Sequence, residues 1–496
     1  MTKHKLLIQQ IGLVGATNFL LGASGIILLP ILTKNLPIAD YGLWAQISVT
    51  VAILPGISTL GLPFTMTRFL PSARTKEDIQ EIFYSIVFTI LISSGLVCLL
   101  IYFFSENIAS ILFNNNIVIV KILSLITFSE CLNTTLSGYF RATKQIKKYS
   151  IFTFMQVIFY FVFVISFLLD GKGILGATIG LLLQSLGLLL IMGYFAFRDI
   201  GIKIPKFTNL KKLMSYSIPI IPIDFSRWIV DSSDRYLIAI FLGTTAVGYY
   251  NPGYSLGNVI YTLIVPFSYI LPATLSKYYD EKCIIEVKTI LNNTLRYFLL
   301  ISIPAVFGLS LLSKPILSML STQEIASNGY LITPFTAVSA LFLGIISIFN
   351  QILLLEKKTK ITGNIVSLCA VLNFGLNFIL IPYIGIVGAA ITTLLAYTVN
   401  LLLITYYSAK YLKLDINIPF ITKPITASVL MCLIIINFNP SGLLEILVII
   451  GICAVTYFLL LFLIGGFDKN EIKSVREFVN IDSTIKNKLN LWKERE

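Results

Sequence analysis

Three charged side chains, Asp224, Arg227 and Asp231, stand in a stretch otherwise apolar enough to cross a membrane. Their spacing of i, i+3 and i+7 puts all three on one face of a helix. Each charge costs about 2.5–3.5 kcal/mol on insertion scales, and roughly ten apolar neighbours return only about 0.3–0.6 kcal/mol each. That face is therefore kept from lipid. Two roles are open to it. An internal ion-pair ladder would orient the helix and do nothing else. A cavity wall would let the Arg227 guanidinium, a planar fork of donors, meet a diphosphate. Counting from Leu213 puts Asp224 and Arg227 near the middle of the span, with Arg235 beyond it in an outer loop.

Other residues offer weaker chemistry. Arg296 stands in a later span, either near the cytoplasmic entrance of a cavity or snorkelling to the interface. Glu130 is a lone membrane carboxylate; with Asp224 it is a candidate for ion coupling, or else a satisfied buried acid. Six cysteines lie far apart, nearly all in apolar segments, with no metal-ligand or disulfide spacing. His4 is the only histidine, so no imidazole relay crosses the membrane. No phosphate-binding GxxxxGK[ST] loop exists, so transport would use an ion gradient or run downhill. No cofactor and no metal are expected.

The elements that must position these residues are membrane helices. Apolar residues make up 56% of the 496, charged residues 12%, and mean hydropathy is +0.87. A net charge of +13 does not signal nucleic acid, because the basic residues cluster between long apolar runs. About 20 apolar residues cross the hydrocarbon core. Spans are expected to begin near Gly12, Tyr41, Ile82, Val118, Ser150, Ile174, Leu213, Ala246, Ile290, Tyr330, Thr362, Ile386, Lys423 and Leu443, fourteen in all. Alternate loops then hold 30 of the 37 lysines and arginines on one face, and the opposite face holds 5. That asymmetry predicts cytoplasmic termini and a cytoplasmic-membrane protein. No cleavable signal peptide is evident. No loop is long enough for a soluble domain.

The chain also repeats itself. Asp40-Tyr41-Gly42-Leu43-Trp44 matches Ala246-Val247-Gly248-Tyr249-Tyr250 at an offset of 206. Ser105–Leu112 matches Ser313–Leu320 at 208, and Gly173–Ala177 matches Gly385–Ala389 at 212. Order is kept and the offset grows slowly, as small loop insertions between two related halves would produce. Six spans per half make the repeats parallel, related by an axis along the membrane normal. The expected divisions are a first lobe over 1–206, a second over 207–412, two peripheral spans over 413–466, and a cytoplasmic amphipathic tail over 467–496. Asn18 aligns with Asp224, so the two could face each other across a central cavity.

Leu29-Pro30-Ile31-Leu32-Thr33-Lys34-Asn35-Leu36, Asp40-Tyr41-Gly42-Leu43-Trp44 and Thr67-Arg68-Phe69 together resemble the opening of the Wzx-type O-antigen exporters. Asp234-Arg235-Tyr236, with Gly243 and Val247-Gly248-Tyr249-Tyr250, looks like the second-half counterpart. These exporters belong to the multidrug/oligosaccharidyl-lipid/polysaccharide (MOP) superfamily. The resemblance implies an all-α fold of two six-helix bundles around a central cavity, with two further helices. It implies a flippase for a polyprenyl-diphosphate-linked oligosaccharide, not an enzyme, working beside polysaccharide polymerases or glycosyltransferases. A multidrug/cation antiporter or a lipid II flippase of the same superfamily is the alternative. A membrane glycosyltransferase or ligase fits less well, since such reactions call for outer-face carboxylates or histidine and a sizeable outer domain.

Overall fold

The computed structural model describes residues 17, 20, 24, 25, 27–73, 75–415, 418–438, 440 and 442–466. Every regular element among them is helical. The first half comprises α1 (27–35), α2 (Ile38–Ser58), α3 (Leu62–Phe69), α4 (Lys76–Phe103), α5 (Ser105–Leu112), α6 (Ile117–Ala142), α7 (Ile146–Phe159), α8 (Ser166–Leu169) and α9 (Gly173–Ile200). The second comprises α10 (Leu210–Ser217), α11 (Ile221–Leu242), α12 (Thr244–Thr262), α13 (Val265–Asp280), α14 (Ile284–Leu320), α15 (Gln323–Gly329), α16 (Ile332–Leu355), α17 (Thr359–Ile384) and α18 (Ile386–Ala409). Helices α19 (Ile418–Asn437) and α20 (Leu443–Leu463) follow.

Eleven helices among the described residues are long and apolar enough to cross a membrane. Fourteen spans were expected; α11 (22 residues) and α12 (19 residues) are long enough to cross but not apolar enough to be among the eleven, and the spans they belong to are also broken. Most of the first span, with Asn18, lies outside the described residues, as do the tail 467–496 and the first sixteen positions. The seventh is interrupted: α10 ends at Ser217, a tight turn holding Pro219 follows, and only then does α11 begin with Pro222 at its second position. Proline at a first turn gives up no needed hydrogen bond and its φ suits a helix start. The eighth span breaks at Leu263–Ile264, ahead of Pro266.

Packing repeats between the halves. In the first, α2, α4 and α9 all lie on α6; in the second, α12, α14 and α18 all lie on α16. Helices α19 and α20 attach to the outside of the second bundle through α14. Each bundle buries its own apolar cluster, Ile47, Ile119 and Val164 in one, Leu291, Ile348 and Cys369 in the other.

The halves meet along a seam between α2 and α12 that obeys the same 206-residue offset. A Cβ on Gly42 would lie 1.9 Å from the Thr244 carbonyl oxygen, and a Cβ on Gly248 would lie 2.4 Å from the Ile38 carbonyl oxygen. Residues 38 and 244 are repeat partners, as are 42 and 248. The contact is therefore reciprocal, each half giving one glycine and one carbonyl. Small residues four apart let membrane helices approach this closely. Asn114 Nδ2 donates to Thr244 Oγ1 at 2.7 Å, and Asn251 Nδ2 to Tyr41 Oη at 2.9 Å, tying the same seam.

The connection between the halves is not loose. Gln80 Nε2 donates to the Ile200 carbonyl at 2.8 Å, and Tyr84 Oη to the Gly201 carbonyl at 2.5 Å. The Glu81 carboxylate accepts from the backbone N–H groups of Lys206 (2.9 Å) and Thr208 (3.2 Å). These three residues lie on one face of α4, so the crossover runs strapped along the first half. Leu213 of α10 is buried in the first half's cluster as well.

Candidate functional site

Helix α11 carries the most charged residues of any helix among the described residues, Asp224, Arg227, Asp231, Asp234 and Arg235. It packs against α17 on one side and α2 on the other. Its sequence-predicted triad does not form one ladder. Arg227 Nη1 lies 3.9 Å from Asp224 Oδ1, with both side chains more than half exposed (55% and 57%). Asp231 instead accepts a hydrogen bond from the Tyr397 hydroxyl of α18.

The tight cluster lies one turn further on. Arg235 was expected in an outer loop; it is buried inside α11, because the proline break moves the helix start from about Leu213 to Ile221 and carries the helix on to Leu242. Its Nη1 donates to Asp234 Oδ1 at 2.8 Å and to the Asp231 carbonyl at 2.6 Å; its Nε reaches Asn251 Oδ1 at 3.4 Å. The guanidinium sits 3.9 Å from the centre of the Tyr254 ring. Asp234 is closed off in turn: the Tyr250 hydroxyl donates to its second oxygen, and the Arg235 backbone N–H to its first. A buried ion pair is tolerable only when its remaining valences are met in this way. Beyond these partners the guanidinium is hydrogen-bonded to the Tyr254 side chain, and its remaining N–H edge borders the cavities.

Three adjoining cavities open on this helix. An interlobe cavity of about 410 Å³ runs between Gly25, Leu28 and Leu29 of the first half and Arg235, Tyr254 and Asn258 of the second. A central cavity of about 300 Å³ shares Arg235, Asn251 and Asn258 with it and adds Asp231 and Tyr261. A side cavity of about 420 Å³, inside the second half, shares Asp231 and Tyr261 with the central one and reaches Arg227, Gln351 and Asn400. Their volumes fall in the range of small-molecule sites.

The other sequence candidates lie apart. Arg296 turns from the cavities toward the peripheral helices: it stacks on Phe420 at 5.4 Å and donates to the Gly466 carbonyl at 3.2 Å. Of the two positions expected for it, a cavity entrance and the cytoplasmic interface, the first is not where it lies, because α19 packs on α14 and claims that face. Glu130 of α6 faces Asn133, whose Nδ2 lies 3.4 Å from its carboxylate, and it lines none of the three cavities. Residues missed by the spacing argument are Arg235, Tyr254, Asn258, Gln351, Tyr397 and Asn400. A signal for Arg235 was present, since 227, 231 and 235 continue one helical face at steps of four.

The fold is shared with an inward-facing multidrug resistance MATE family transporter of the MOP superfamily, at a TM-score of 0.64 and 16% identity over 78% of this chain and 93% of that one. The lipid II flippase MurJ in an inward closed conformation shares that fold with a TM-score of 0.74 at 18% identity, over 90% of this chain and 97% of that one. The chain belongs to the family described as "Polysaccharide biosynthesis protein", which matches residues 31–327. A probable lipid II flippase MurJ of Rickettsia prowazekii is 31% identical over 34% of this chain and 33% of its own length. A probable low-salt glycan biosynthesis flippase, Agl15 of Haloferax volcanii, is 24% identical over 48% of this chain and 50% of its own. The chain thus spans a third to a half of the length of these two relatives.

Proposed function

We propose that the protein is a flippase that carries a polyprenyl-diphosphate-linked oligosaccharide across the cytoplasmic membrane for surface polysaccharide synthesis, by alternating access between its halves. The observation that carries this reading is the unspent edge of Arg235 facing adjoining polar cavities. A diphosphate presents the planar oxygen pairs that a guanidinium matches. Arg227, about 12 Å along the same helix face by 1.5 Å per residue, supplies a second cation at the side cavity. The names of the two relatives point to the same class of cargo. The excess of basic residues in alternate loops supports cytoplasmic termini.

One observation favours a second reading, a multidrug/cation antiporter. The α11 face holds three aspartates against two arginines, and an organic cation would meet Asp231 in the same cavities. Liposomes reconstituted with the full chain and loaded with a fluorescent short-chain polyprenyl-diphosphate disaccharide separate the two. Protein-dependent exposure of the sugar to external lectin is expected, slowed about tenfold by Arg227→Ala, the loss of one charge-assisted contact. Movement of ethidium but not of the lipid would establish the second reading instead.

A further inference from the structure

The side cavity within the second half differs from the other two in its polar groups. Gln351 of α16 and Asn400 of α18 are 92–94% buried, at 8% and 6% exposure, and both line it. Neither side chain makes a hydrogen bond to any described residue. Elsewhere in the same bundle two buried amides meet, Asn377 Nδ2 donating to Asn373 Oδ1 at 3.1 Å and Thr392 Oγ1 to Asn377 Oδ1 at 2.5 Å, while Asn373 Nδ2 stays without a partner among the described residues. Gln351 and Asn400 line the cavity, so their donors and acceptors are left for whatever fills it.

One neighbouring group extends the pattern. Asn350 Oδ1 accepts from Thr362 Oγ1 at 2.7 Å, which leaves its Nδ2 donors to the cavity. Ser347 Oγ donates to the Leu343 carbonyl at 2.9 Å and is hydrogen-bonded to the Tyr261 hydroxyl, so it is already engaged. The uncharged groups mix donors with acceptors and lie on α16 and α18, beside Tyr261 of α12 and Arg227 of α11, the one cation among the described residues of the same cavity. We propose that this cavity is a saccharide subsite, taking a neutral pyranose of the lipid-linked glycan while the diphosphate sits at Arg235. This rests on the flippase reading above.

The chemistry selects a sugar over a cation. A side-chain amide offers one donor and one acceptor edge, which match two adjacent hydroxyls, and each hydroxyl can both give and take. A bound cation instead gathers oxygens into a cage about 2.3–2.6 Å in radius. Here the one carboxylate, Asp231, is already engaged by Tyr397, and the space is about 420 Å³. The central cavity shares Asp231 and Tyr261 with the side cavity and Arg235 with the interlobe cavity, so one molecule can reach both.

The test uses the full chain in nanodiscs and two probes, farnesyl diphosphate and the same lipid bearing one N-acetylhexosamine on its terminal phosphate. Native mass spectrometry reads both affinities. The glycosylated probe is expected to bind about tenfold tighter, because an unpaired buried polar site rewards the group that satisfies it. Gln351→Leu and Asn400→Leu should each remove most of that advantage and leave farnesyl diphosphate binding unchanged, which also reports that the variants fold. Equal binding of both probes to the unmodified protein overturns the proposal. So does an equal loss of both probes in the variants, or a sodium dependence of the bare probe that Asn400→Leu abolishes. Failure of farnesyl diphosphate to bind at all would instead count against the flippase reading. Saturation-transfer NMR with a methyl hexoside then decides the subsite alone: transfer lost in Asn400→Leu supports it, and transfer absent or unchanged overturns it.

Discussion

The two halves of this protein share a backbone plan but not a chemistry. Under the 206-residue offset, Asp231, Asp234 and Arg235 of α11 correspond to Gly25, Leu28 and Leu29 of the first half. Gly25, Leu28 and Leu29 all border the interlobe cavity, where Arg235 faces them from the second half. One wall is a guanidinium with its partners; the other is two leucines packed into their own bundle, beside a glycine with nothing within 4 Å of where its Cβ would be. At the seam the same offset gives the opposite result, since residues 38 and 42 mirror 244 and 248 atom for atom. A contact that closes on itself gains from symmetry, because one solution serves both sides. A site for one asymmetric lipid gains nothing from a second anchor. Duplication is kept where the halves touch each other and lost where they touch the cargo.

The sharpest way to break this contrast is to empty the charged wall. Arg235→Ala leaves Asp234 buried with a tyrosine as its main support, and stranding a buried charge costs about 3–5 kcal/mol. A large fall in detergent melting temperature and in abundance is expected, and Asp234→Asn in the same chain should recover most of both without restoring transport. A single variant as stable as the parent would mean that the α11 charges are not a network.

Symmetry at the seam is tested next. Gly42→Val and Gly248→Val each drive a side chain into a backbone carbonyl, and overpacking costs about 1–3 kcal/mol. The two variants should lose stability and transport to a similar degree, measured side by side in liposomes. A strong effect at one position with none at the other would show that the seam is not reciprocal.

The smallest effect is expected at the N-terminal end of α11. Asp224 and Arg227 form a long, exposed pair, and such pairs contribute about 0–1 kcal/mol. Asp224→Asn should leave the melting temperature almost unmoved. A clear destabilisation there would extend the structural network a turn beyond where the contacts end.

Much of this architecture was legible beforehand. Hydropathy and loop charge marked the helices because lipid punishes every misplaced charge, and the duplication showed in short motifs at the helix openings. The depth of Arg235 was misjudged because two prolines, 219 and 222, shift the start of α11, and a hydropathy count has no means to weigh such a break. The facing of Arg296 depended on α19, a neighbour remote in sequence. Gln351 and Asn400 carried no signal at all, since single amides in apolar helices have no spacing to read. Asn373 and Asn377 look the same in sequence, and only packing shows that they pair with each other.

The strap between the halves has a consequence for slack. Eight residues, 201–208, would reach about 27 Å as a free tether, enough to let two bundles drift apart. Pinned by Gln80, Glu81 and Tyr84, that length is spent before the second half begins. Lengthening the strap between its anchors would only raise a loop from the first half's surface. Because Leu213 holds α10 in the first half's cluster as well, only a residue added after α10 would give the second half its first free play.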